Sequence, residues 1–315
     1  MKIHGHANGL KTTLLFGIMW AIIILIWYAT GARYNTLGIY VVIAVVMTFG
    51  SYWFSDKLSL ASIQAQAVTE EQAPQLYRIV RELSSKAGKP MPRIYIAPTM
   101  SPNAFATGRN EHHAAVCCTQ GIMELLDERE LRGVLGHELM HVYNHDILTS
   151  SIASAMSMVI TYLGYSLRYF GGSLSERERD DRNSGALGAI GALLAMILAP
   201  VGASLVQMAI SRTREFDADE DGSILSEDPM ALASALHKIE SGVQSMPLRK
   251  TNATQNISAV MISSPFRMED VNKLFSTHPP TQQRIQRLQE LAQQLGQSAQ
   301  VSDVSTDFDE EPYMQ

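Results

Sequence analysis

Four stretches of this chain carry no charged residue, and each is long enough to cross a lipid bilayer. Between Lys11 and Arg33 lie 21 such residues, between Arg33 and Asp56 22, between Asp146 and Arg168 21, and between Arg182 and Arg212 29. A helix crossing the hydrocarbon core needs about 20. The first two stretches are dense in Ile, Leu, Val, Trp and Phe. The third carries several Ser and Thr, and the fourth is rich in Gly and Ala with Pro200 inside it. For that second pair a buried helical hairpin in a soluble domain is the alternative, although small residues also suit close packing of membrane helices. The first stretch is longer than the apolar part of a cleaved signal, and a second follows at once, so it is expected to stay as an anchor. Only 18% of the 315 residues are charged, and the net charge of −6 speaks against nucleic acid as a partner.

The polar segments between these stretches carry their own patterns. Thr69 to Lys86 reads as an amphipathic helix with Leu76, Ile79, Val80 and Leu83 on one face, ended by Gly88, Pro90 and Pro92. Arg93–Ala97, Asn103–Gly108 and His113–Thr119 read as short strands. Cys117 and Cys118 are adjacent, so on a strand they point to opposite faces and cannot bridge without strain. That fits packing residues in a reducing compartment. Asp228-Pro229 starts a helix expected to run to about Glu240 and to stop at Gly242, and Pro279-Pro280 leads into another over 281–295, stopped by Gly296. Residues 297–315 are polar and acidic and are expected to be disordered.

Between the second and third apolar stretches stands His137-Glu138-Leu139-Met140-His141. Two histidines four apart share one face of a helix and can grip one metal ion, and the glutamate between them can take a proton from a water beside that ion. The helix is expected to start at Asp127, with Glu130 three residues later completing a capping box. A catalytic zinc site usually has three protein ligands. His145 lies on the same helix as His141, and three ligands from one straight helix all lie on one side of the ion. A metzincin arrangement needs Gly at 144 and His at 147, where this chain has Asn144 and Ile147. The third ligand is therefore expected to be an acid on a second helix. Glu215 and Asp219, four apart in Ser211–Asp219, share a face. Glu215 can ligate while Asp219 holds a ligand histidine from behind; a solvated acidic face is the alternative. His141 and Glu215 each lie a few residues outside a membrane stretch, roughly 6–9 Å along a helix. An antiparallel hairpin brings those ends to one depth, which puts the zinc just above the bilayer surface.

Asn103-Ala-Phe-Ala-Thr-Gly108, Gly136-His-Glu-Leu-Met-His141 with Asp146, Ser211-Arg-Thr-Arg-Glu-Phe-Asp-Ala-Asp219 and His278-Pro-Pro-Thr-Gln-Gln-Arg284 follow one another in an order and spacing that closely resembles the HtpX family of integral-membrane zinc endopeptidases, relatives of the CAAX prenyl endopeptidases. The resemblance covers about 12–290. It implies a mainly α membrane protein in which four transmembrane helices carry a zincin-like α+β catalytic domain with a small β-sheet. The expected division is a transmembrane hairpin at 1–55, the first half of the protease domain at 56–146, a second hairpin at 147–211, the second half at 212–295 and a tail at 296–315. It also implies one Zn²⁺ per chain on His137, His141 and Glu215, with Glu138 as general base and Asp146 and Asp219 as supporting acids. His278 and Arg284 are implied to steady substrate and the developing oxyanion, with a helix cap and a surface arginine as their plain alternative. If they act only on the transition state, replacing either lowers turnover and leaves metal and folding untouched. Asn103, Ala104, Phe105, Ala106 and Thr107 resemble the edge on which an extended substrate docks by strand addition.

The implied activity is endopeptide hydrolysis at the cytoplasmic face of the bacterial inner membrane, with misfolded membrane proteins as substrates, the bilayer as surroundings and both termini cytoplasmic. A narrow specificity of the CAAX-processing type is the nearest rival. A metal transporter would need ionisable residues within its spans, which the four stretches lack, and an inert scaffold would not need Glu138. Basic residues do not decide orientation: Lys2, Lys11, Lys57, Arg132, Arg212 and Arg214 flank one side, and Arg33, Arg168, Arg177, Arg179 and Arg182 the other.

Overall fold

A computed structural model of the chain describes residues 8–29, 37–157, 160, 212–258, 260–267 and 279–296. The fourth apolar stretch, the rest of the third beyond 147–157 and 160, His278 and the acidic tail lie outside the described residues.

Helices α1 (Asn8–Ala29) and α2 (Leu37–Ser62) are the first two apolar stretches. A two-residue strand β1 (Gln66–Ala67), helix α3 (Pro74–Ala87), and strands β2 (Arg93–Ala97), β3 (Ala104–Gly108) and β4 (Ala114–Thr119) follow. Helix α4 (Gln120–Leu125) then leads to α5 (Glu128–Tyr143). Helix α6, described over 146–157, opens the third apolar stretch. The chain is next described at α7 (Arg212–Ser226), α8 (Pro229–Ser245), the short α9 (Asn252–Ile257) and α10 (Thr281–Gln294).

Among the described residues α2 is the one helix long and apolar enough to cross a membrane; α1 holds a shorter apolar run, Leu10–Leu25. The outward side of α2 exposes Ile39, Val42, Val46 and Phe49, a surface suited to hydrocarbon and costly in water. Leu15, Met19 and Ile23 of α1 pack with Ala44 of α2 and with Ile152, Ala153 and Met156 of α6. Thr12 Oγ1 meets Thr149 Oγ1 at 3.1 Å, and Trp20 Nε1 donates to Thr48 Oγ1 at 3.1 Å. The last turns of α2 leave this bundle: Leu60 packs under the sheet beside Phe105 and Cys117, and Asp56 pairs with Arg93 at 2.8 Å. One continuous helix thus joins the apolar bundle to the polar half of the molecule.

The sheet has the order β1-β2-β4-β3. Strands β2 and β4 are parallel, with Ile94 opposite Val116, while β1 and β3 add antiparallel at the two edges. Both cysteines are free and buried. As the strand alternation requires, Cys118 faces the main core with Val116 while Cys117 faces the opposite side with Phe105. The main core runs from Ala73 to Leu288, so segments before and after the third and fourth apolar stretches build one interior.

Two helix boundaries differ from the sequence expectation. Helix α3 starts at Pro74, not Thr69, because proline stands at its first turn and Thr69–Ala73 folds as a turn instead. Helix α8 runs through Gly242 to Ser245. That glycine does not stop the helix; a Cβ there would lie 2.7 Å from Pro102 Cγ, so it is a point of close packing. The capping box of α5 forms as expected: Asp127 accepts from the Glu130 N–H at 2.8 Å, and Glu130 accepts from the Asp127 N–H at 3.0 Å.

Candidate metal centre

Helix α5 presents His137 and His141 one turn apart, and α7 lies across it. The two backbones come unusually close because each has a glycine at the crossing. A Cβ on Gly222 would lie 2.6 Å from the His137 nitrogen, and one on Gly136 would lie 2.7 Å from the Gly222 oxygen. This approach brings the acids of α7 against the histidines of α5. His137 Nε2 and His141 Nε2 are 3.1 Å apart. Glu215 Oε1 is 3.5 Å from His141 Nε2, and Glu215 Oε2 is 3.9 Å from His137 Nε2. Two ligands of one tetrahedral zinc stand about 3.3 Å apart when each bond is 2.0–2.1 Å. The three atoms, all within 4.8 Å of one another, fit such an ion. Helix α5 ends at Tyr143, and His145 sits in the exposed turn that follows with φ +61, apart from this cluster.

Behind the two rings stand Asp219 and Asp146, the two acids expected to support them. Asp219 Oδ1 is 2.9 Å from His137 Nδ1, and Asp146 Oδ2 is 3.3 Å from His141 Nδ1. Each carboxylate engages one ring nitrogen and leaves the other aimed at the cluster, as an outer partner of a metal ligand does. Asp146 also accepts from Arg214 Nη1 at 3.3 Å. In the sequence Arg214 stands only as a flanking basic residue beside Glu215; its contact with Asp146, 68 residues away, has no local signal.

Arg284 is not a surface residue. It is 2% exposed and lies beneath the histidines. Its Nε and Nη2 donate to the two oxygens of Asp219 at 2.8 and 2.7 Å, and Nη1 donates to the carbonyl of Ile262 at 2.7 Å. Glu215 Oε2 lies 4.0 Å from Nη1, and His137 Nδ1 3.5 Å from Nη2. The plain alternative of an exposed arginine therefore fails, and the guanidinium fork is committed to Asp219 before any substrate arrives. His278, the partner that the resemblance implies for it, lies outside the described residues.

Electrostatics follow from this burial. Burial lowers His137 to about 4 against the opposing pull of Asp219. Burial also acts to lower His141, but its hydrogen bond to Asp146 and the charges of Glu215, Asp146 and Glu138 outweigh it and raise the ring to about 9. Burial works to raise Asp219, yet Arg284 and His137 keep it below its ordinary value. A divalent cation among these groups would reverse the balance at His141 and hold both rings neutral.

Glu138 is 1% exposed, and neither carboxylate oxygen has a hydrogen-bond partner among the described residues. Burial, offset by the charge of His141, raises it to about 7. The Ala106 N–H lies near enough to pull the other way but does not reach hydrogen-bond geometry. A buried carboxyl with no partner and a neutral pKa is poised for proton transfer.

Strand β3 brings the remaining residues to the same place. Asn103, Ala104, Phe105, Ala106 and Thr107 are all buried. The Asn103 carbonyl accepts from the Thr119 N–H at 3.0 Å, toward β4. Antiparallel alternation then turns the main-chain groups of Ala104 and Ala106 to the free edge, on the side of α5 and Glu138. Thr107 Oγ1 contacts Ser151 Oγ at 2.8 Å and so ties the strand to α6.

The chain is similar to known proteins over most of its length. The model of peptidase family M48 matches residues 70–292. The "Protease HtpX homolog" of Bifidobacterium longum is 69% identical over 294 residues, covering 93% of this chain and 95% of that protein. The proteins of the same name from Pseudarthrobacter chlorophenolicus and Thermococcus kodakarensis are 57% and 45% identical, covering 92% and 93% of this chain and 98% and 99% of their own lengths.

Proposed function

Since the chain belongs to peptidase family M48, among relatives that are HtpX proteases, we propose that it is a membrane-bound metalloendopeptidase holding one zinc ion on His137, His141 and Glu215. The observation that carries this reading is the convergence of those three ligand atoms beside Glu138, buried and without a hydrogen-bond partner among the described residues, and the outer edge of β3. Bound there, zinc would polarise a scissile carbonyl and acidify an attacking water. Glu138, a buried carboxyl without a hydrogen-bond partner among the described residues, would serve as general base toward that water and as general acid toward the leaving amine. Asp219 and Asp146 fix the orientation of His137 and His141. Arg284 positions Asp219. Asn103–Thr107 offers its edge to an extended polypeptide, and His278 completes the substrate grip with Arg284.

The substrates are misfolded membrane proteins, and the work is quality control at the cytoplasmic face of a bacterial inner membrane. In support, the site is linked through α2 and α6 to an apolar bundle, and its ligands flank the third and fourth apolar stretches. The test is cleavage of unfolded casein by the purified full-length protein. Cleavage should cease with a chelator and return with one equivalent of zinc. Casein that stays intact under zinc-replete conditions would sink the protease reading.

A further inference from the structure

The free edge of β3 is not bare. Residues 260–263 lie along it, antiparallel, with Met261 opposite Phe105. The Ile262 N–H donates to the Ala104 carbonyl at 2.9 Å. The Ile262 carbonyl accepts from Arg284 Nη1 at 2.7 Å, and the Ser263 carbonyl accepts from Asn103 Nδ2 at 2.9 Å. The side chains alternate as those of a strand do: Met261 packs with Phe105 and Cys117, while Ile262 enters the main core.

We propose that residues 260–263 occupy the place of a substrate strand, that they leave the β3 edge before a polypeptide reaches Glu138, and that the groups holding them then hold the substrate. This rests on the protease reading above. Three observations carry it. Each of these hydrogen bonds is made by the main chain of 262 or 263, so any extended polypeptide can replace it, as in strand addition. The occupied groups border the reacting centre: Ala106, next along the edge, faces Glu138, and Arg284 reaches His137. The main-chain pairing with β3 is a single bridge, shorter than a continuous ladder, and 262–267 beyond it form no regular element. Met261 and Ile262 are each 1% exposed, so a substrate with two neighbouring apolar residues restores the burial that their departure gives up. Membrane segments supply such pairs.

The experiment uses full-length, zinc-loaded Glu138→Gln protein in detergent, which binds polypeptide without cutting, with unfolded casein as the probe. Hydrogen exchange at 260–263 should speed up about tenfold or more on casein binding. Equal protection with casein bound overturns the proposal and makes the segment a fixed wall of the cleft. Ile262→Pro deletes the donated N–H; Ile262→Ala keeps it but shrinks the anchor, and is read if the proline variant fails to fold. If the covered form holds about nine molecules in ten, uncovering tightens casein binding about tenfold. Unchanged or weaker binding by a folded variant overturns the proposal, as does absence of casein binding by all three chains. The two readings separate cleanly. Casein cleavage by the wild-type protein with 260–263 still protected defeats only the strand exchange. Casein binding that releases 260–263, with no cleavage by the wild-type protein, defeats only the protease.

Discussion

His137 stands between Asp219 at 2.9 Å on one nitrogen and His141 at 3.1 Å on the other, so two side chains act on one ring. The site's behaviour on substitution follows from such pairings. Glu138 is no ligand in this geometry, and Glu138→Gln should lower kcat by about 10²–10⁴ while metal analysis still finds one zinc per chain. Zinc loss should follow the order Glu215→Ala, then Asp219→Ala, then Asp217→Ala. The first removes the proposed third ligand, the second the proposed orienting acid, whose loss should weaken zinc by about 10–100-fold, and the third lies on another face of α7. Full zinc retention in Glu215→Ala, with loss in His145→Ala, would mean the third ligand was misassigned. The two hydrogen bonds from Arg284 to Asp219 argue against an Arg284 substitution that leaves metal and folding untouched. Arg284→Ala leaves a buried carboxylate uncompensated, which should cost about 3–5 kcal/mol in a denaturant titration and weaken zinc as well. Arg284→Lys keeps the charge but not the fork and should recover only part of both.

At the scale of elements, the crossing of α5 and α7 sets the ligand distances. Gly222→Ala places a Cβ 2.6 Å from the His137 backbone nitrogen, so the helices must separate. Overpacking of this kind destabilises by about 1–3 kcal/mol, and moving Glu215 away from the histidines should lower zinc affinity too. Gly242→Ala meets Pro102 and Leu125 instead. It should also lower the melting temperature but leave zinc affinity unchanged. Calorimetry and zinc titration of the pair check this; equal zinc loss in both would deny the crossing its special role. In the sequence both glycines sit inside helical patterns, where a glycine marks a packing contact as readily as a helix end. Periodicity alone cannot tell the two apart, which is why Gly242 reads as a stop.

For the whole molecule, α2 is the candidate membrane helix that joins the apolar bundle to the half bearing the proposed site. Its outer face is apolar over Ile39–Phe49, and its last turns enter the protein core at Leu60. A reporter inserted within 171–184 should be extracytoplasmic and one fused after Gln315 cytoplasmic, as scored by enzymatic reporters active on one side only. Both reporters on one side would mean that the third and fourth apolar stretches do not span, and the depth assigned to the zinc would lose its support.

What the sequence determined by itself is whatever depends on neighbours along the chain. The spacing of His137 and His141, the capping box at Asp127, the start of α8 at Asp228-Pro229, the strand over Arg93–Ala97 and the opposed faces of Cys117 and Cys118 all follow from helix and strand periodicity. Tertiary structure alone decided which distant groups meet. The contact of Gly136 with Gly222, the burial of Arg284 between Asp219 and the Ile262 carbonyl, the two-residue strand β1 and the covering of β3 by 260–263 leave no local pattern. Each is a pairing between segments far apart in sequence, and its geometry is set by how closely backbones can pack and by which buried polar groups must be satisfied.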